Sequence, residues 1–123
     1  MKIRIKGNSI RYRLTKTDIQ NFGTNGFVEE RTEFQNGPCF YYRLEKKPGI
    51  PNLDASFLNN RITIFISEDI ANEWITTDVI GFDNRMNIGN EKGLFLLIEK
   101  DFACLDHALE DQSDNYPNPN KVC

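Results

Sequence analysis

The sequence predicts an α+β domain in which duplicated β-α-β-β units form a mainly antiparallel, strongly twisted sheet or barrel with two short helices. Three observations carry this expectation. Apolar and polar residues alternate with a period of two in several short stretches. Two other stretches show helical spacing behind a Thr or Ser suited to capping. The same order of elements then occurs twice along the chain.

Taken in order, Lys2 to Leu14 reads as two short strands around Gly7-Asn8, because Ile3 and Ile5, then Ile10, Tyr12 and Leu14, alternate with basic or polar residues. One face is therefore apolar and the other basic. Thr15 can cap a helix that places Ile19 and Phe22 on one side, and Gly23 or Gly26 can end it. Phe27 to Phe34 alternates again. Asn36-Gly37 then signals a hairpin, because both central positions of a type I′ turn need positive φ. Phe40, Tyr42 and Leu44 continue the apolar face through a strand ending near Lys46.

Lys47 to Asn52 contains Pro48-Gly49 and Pro51, which forbid a central strand and divide the chain into halves. Leu53, Ala55 and Phe57 alternate into a tight turn at Asn59-Asn60, and Ile62, Ile64 and Ile66 follow with a period of two. Ser67 caps a helix to about Thr76 with Ile70, Ala71, Trp74 and Ile75 along one stripe. Ile80 to Ile88 reads as a weaker strand and Gly89 to Lys92 as a loop. Leu94 to Ile98 is the longest unbroken apolar run, which predicts a central strand buried on both faces.

Residues 1–102 are thus expected to form one domain with pseudo-repeats at about 9–46 and 61–100, followed by an acidic, Pro- and Asn-containing tail at 103–123 that is packed on the domain or mobile. A length of 123 residues suits a single core, and 39% hydrophobic with 27% charged residues suits a globular rather than a disordered chain. Met1 to Lys6 has no apolar stretch of a secretory signal, and no run reaches the ~20 apolar residues that cross a bilayer. Cys39, Cys104 and Cys123 lack paired spacing and read as free thiols, so the cytoplasm is the expected compartment.

With eight or so strands and two helices, the layout resembles the triphosphate tunnel (CYTH) superfamily, whose barrels line a tunnel with charges. That resemblance implies metal-dependent phosphate chemistry, although Lys2-x-Arg4-x-Lys6 here carries no carboxylate on the first strand. Glu99-Lys100-Asp101-Phe102-x-Cys104-Leu105-Asp106, the run Glu110 to Pro119, and the Lys2-Ile3-Arg4 start together look like a family of small standalone bacterial proteins of unassigned function.

Net charge is only −3, with a pI near 5.2, which ranks nucleic acid third among partner classes. The distribution is uneven: six cations from Lys2 to Lys16 precede the first acid, Asp18, while acids crowd the end. Arg4, Lys6, Arg11 and Arg13, joined by Arg43 if a barrel closes, form the candidate anion site, since guanidinium groups hold phosphate or carboxylate through charge-assisted hydrogen bonds. The ligand class is an anionic small molecule or an acidic peptide, with the acidic tail over that face. The enzyme alternative, a phosphohydrolase using a divalent metal, needs Glu29, Glu33, Glu45 or Glu99 beside those cations. A weaker metal set is Cys104, His107, Asp111 and Asp114. A third class is a protein-interaction module using a sheet edge.

Overall fold

In a computed structural model, residues 1–101 are described. The alternation read from the sequence is realised as eight strands, β1 (Lys2–Lys6), β2 (Ser9–Leu14), β3 (Phe27–Glu33), β4 (Cys39–Lys47), β5 (Leu53–Leu58), β6 (Arg61–Ser67), β7 (Gly81–Gly89) and β8 (Lys92–Lys100). Helices α1 (Lys16–Asn25) and α2 (Glu68–Thr76) follow β2 and β6.

These strands form two four-stranded sheets, which corrects the expectation of one sheet or a barrel. Sheet A has the order β1-β2-β8-β7 and sheet B the order β3-β4-β6-β5. The reason is the helices: α1 takes the chain from sheet A to sheet B, and α2 takes it back. Each sheet is therefore a hairpin from one half of the chain laid beside a hairpin from the other. The inner pairs, β2 with β8 and β4 with β6, are parallel, and the outer pairs are antiparallel.

Local signals explain why the turns fall where they do. Thr15 and Asp18 form a reciprocal capping box, and Gly26 ends α1 at φ 81°. Ser67 accepts a hydrogen bond from the Ile70 amide at the start of α2. Asn36 and Gly37 take φ 70° and 98°, as the hairpin signal requires, and Asn59 and Asn60 take 53° and 61°.

One core lies between the sheets. Ile10, Tyr12, Leu14, Leu96 and Ile98 come from sheet A, and Leu44, Leu53, Ile62, Ile64 and Ile66 from sheet B. Phe22 and Trp74 close the helical end, their rings edge-on at 6.2 Å, and the Trp74 indole donates to the Ile80 carbonyl at 2.9 Å. Three side chains tie the sheets by hydrogen bonds: Tyr12 to the Ile62 carbonyl, Tyr42 to the Met1 carbonyl, and Asn84 to the Leu53 carbonyl.

β8 is an interior strand, but it is not buried on both faces. Leu96 and Ile98 are fully buried, whereas Phe95 on the opposite face is 40% exposed. No described element covers the outer face of sheet A, so only the inner parity of the apolar run reaches the core.

The element order hairpin, helix, hairpin occurs twice. Corresponding backbone hydrogen bonds also occur in both halves: Lys46 N to Gly26 O at 2.9 Å and Lys100 N to Ile80 O at 2.9 Å. Across the parallel pairs, Tyr41 N to Asn60 O at 2.9 Å is matched by Phe95 N to Asn8 O at 3.0 Å.

Candidate functional site

Strand alternation decides where the cations go. In β2, Ile10, Tyr12 and Leu14 face the core, so Arg11 and Arg13 face outward. The β1–β2 register sets Lys2 opposite Arg13, Arg4 opposite Arg11 and Lys6 opposite Ser9, which puts all five cations on the outer face of sheet A. Arg85 of β7 joins them, opposite Phe95, and lies across Gly93, where a Cβ would collide with its guanidinium.

Acidic groups meet part of this charge. Glu99 lies 2.7 Å from Arg13 Nε and 3.6 Å from Arg11 Nε, and Asp101 lies 3.1 Å from Lys2. Arg4, Lys6 and Arg85 are exposed and form no ion pair among the described residues. Around Arg4, Lys6 and Arg11 the face sinks into a shallow concavity of about 210 Å³, floored by Ser9, Phe95 and Leu97.

Arg43 is not part of this group. It sits on the outer face of sheet B, where its Nε lies 2.7 Å from Glu45, its Nη1 lies 3.4 Å from Glu29, and its guanidinium stacks 3.9 Å from the Phe27 ring centroid. Arg61 shares Glu29 at 2.8 Å and stacks on Tyr41. The expected convergence of Arg43 with the β1 and β2 cations required barrel closure, and the two sheets instead turn their outer faces apart. Glu29 and Glu45 accordingly lie with Arg43 on sheet B, while Glu99 lies with Arg11 and Arg13 on sheet A.

No group of three or more His, Cys, Asp or Glu side chains is placed to hold a metal among the described residues. Cys39 is a free, half-buried thiol. The acidic tail, with Cys104, His107, Asp111, Asp114 and Cys123, lies outside the described residues. No helix among the described residues is long and apolar enough to cross a membrane.

A second concavity has no counterpart in the sequence reading. Between the inner faces of the sheets, at the end opposite the helices, an apolar cleft of about 490 Å³ opens. Its walls draw on both halves of the chain: Ile5, Ile10 and Phe40 from the first, and Phe57, Ile62 and Leu94 from the second. Asn8 and Ser56 are its polar residues, and no titratable residue lines it. The signal in the sequence was apolar residues of inward parity persisting to the strand tips, at Ile5, Phe57 and Ile88, beyond the point where the core is sealed.

Fold and surface together define a two-sheet α+β domain with a basic sheet face and an open apolar cleft. The family model that matches this chain covers residues 1–120 and describes a family of unknown function, DUF7009. The chain belongs to that family. No curated protein and no solved structure matches it.

Proposed function

We propose that this protein is a cytoplasmic binding module for a small phosphate-containing anion, held on the outer face of sheet A by Arg4, Lys6 and Arg11, with Arg13 and Arg85 shaping the surrounding field. The observation that carries this reading is Arg4 set directly opposite Arg11 across an antiparallel pair, with Arg4 and Lys6 lacking any ion pair among the described residues. Like charges directly opposite one another are destabilising. An anion seated in the 210 Å³ concavity relieves that repulsion through charge-assisted hydrogen bonds. The repeated hairpin, helix, hairpin order also supports our reading of the chain as a duplicated unit, in which the cationic face has evolved on one sheet and an internally neutralised face on the other.

Calorimetric titration with pyrophosphate and with nucleotides, at low and moderate salt, tests the proposal. Saturable binding that weakens with salt, and that falls roughly tenfold in Arg4→Glu or Lys6→Gln, is the expected result. Absence of saturable binding to every phosphate compound at low salt overturns it.

A further inference from the structure

We propose that the apolar cleft between the sheets holds the alkyl chain of a single-chain carboxylate whose headgroup is bound by Lys6. The inference rests on the basic-face reading for its headgroup and on separate geometry for its chain. Ile10 and Ile62 form the floor of the cleft and are each 8% exposed, while Ile5 and Phe57 at the mouth are 53% and 65% exposed. This gradient from a nearly buried apolar floor to an exposed apolar rim suits an alkyl chain lying along the cleft. Its 490 Å³ volume falls in the range of small-molecule sites, and a lining without titratable groups rejects a buried charge.

The headgroup must therefore remain at the mouth. Lys6 stands between Ile5 and Gly7, both of which line the cleft, and itself lines the basic concavity with Arg4. The β1–β2 turn is thus the wall shared by the apolar and cationic sites, and charge complementarity selects an anionic end for the ligand.

Titration of the full chain with acetate, hexanoate, octanoate and decanoate, each below its micelle concentration, tests this assignment, with 1-octanol as the uncharged control. Affinity is expected to rise about two- to fourfold per methylene until the cleft is filled, and octanoate should bind roughly tenfold more tightly than octanol. Lys6→Gln should bring octanoate down to the level of octanol. Phe57→Ser, at an exposed position that folding tolerates, should weaken decanoate several-fold while leaving pyrophosphate binding unchanged. Affinity independent of chain length overturns the inference, as does octanoate binding unaffected by Lys6→Gln. Self-association that decanoate does not reverse assigns the cleft to a second copy and also overturns it. Pyrophosphate binding with no chain-length effect sinks this inference and leaves the basic-face reading intact, whereas chain-length-dependent binding without pyrophosphate binding sinks the basic-face reading.

Discussion

Asp18 joins the start of β1 to the start of α1. Its carboxylate lies 2.8 Å from the Met1 amino nitrogen and accepts hydrogen bonds from the Thr15 amide and hydroxyl at 3.0 Å. Burial works to raise its pKa, but the hydrogen bonds from Met1 and Thr15 and the charge of the amino group outweigh burial and hold it below the ordinary 3.8. A carboxylate whose folded-state pKa is depressed contributes stability above its unfolded value and loses it as pH falls through the folded one. Asp18→Asn should therefore cost about 1–2 kcal/mol at neutral pH. It should also flatten the acid limb of a stability-versus-pH curve, and an unchanged acid limb would contradict the assignment. Tyr12 has the opposite sign. Burial pushes its phenol far above the ordinary 10, against a backbone hydrogen bond from Arg43, with Tyr42 adding to the rise. Its stability contribution is complete below pH 10 and declines as pH rises beyond it. Tyr12→Phe should lose about 1 kcal/mol at neutral pH, because the Ile62 carbonyl loses its donor. The variant's stability should then fall less steeply above pH 10 than that of the parent, as urea titrations across that range will show.

The elements themselves were legible where their causes are local. Thr15 and Ser67 as caps, Asn36-Gly37 and Asn59-Asn60 as turns, and both helices follow from chemistry within a few residues. Pairing was not legible, because β2 with β8 and β4 with β6 are parallel partners brought together through helices, and period-two alternation carries no information about neighbours. The division into two sheets decided the candidate site as well. Arg4, Lys6, Arg11 and Arg13 share a face because a two-residue hairpin fixes their register, while the place of Arg43 depended on a closure that does not occur. Gly81 is a position whose role only the packing exposes. It opens β7 opposite Glu99, and a Cβ there would collide with the Ile98 carbonyl and the Glu99 Cα. Gly81→Ala should cost about 1–3 kcal/mol through strain at this close approach. A lower urea midpoint with an unchanged slope is the expected signature, and an unchanged midpoint would count against the clash. Trp74→Ala should cost about 3–5 kcal/mol, since it empties the helical end of the core beside Phe22.

At the scale of the whole molecule, charge and connectivity each have a consequence. The cationic outer face of sheet A is an internal cost, so Arg4→Glu should raise stability by about 0.2–1 kcal/mol at low ionic strength, and the gain should shrink as salt is added. A gain in stability together with loss of pyrophosphate binding would fit a face kept for function at the expense of the fold; a loss of stability would show that the repulsion is already relieved. Connectivity acts differently. Sheet A is completed by β8 and sheet B by β6, so each half of the chain supplies one hairpin to both. During synthesis the ribosome releases β1 and β2 long before β8, and the hydrogen-bonding edge of β2 must wait, unpaired, for nearly the whole domain to emerge. Folding should consequently be slow for a chain of this length, with the parallel β2–β8 contact among the last to form. That interval is when a nascent chain is most open to holdase chaperones or to pairing with a neighbour on the same polysome.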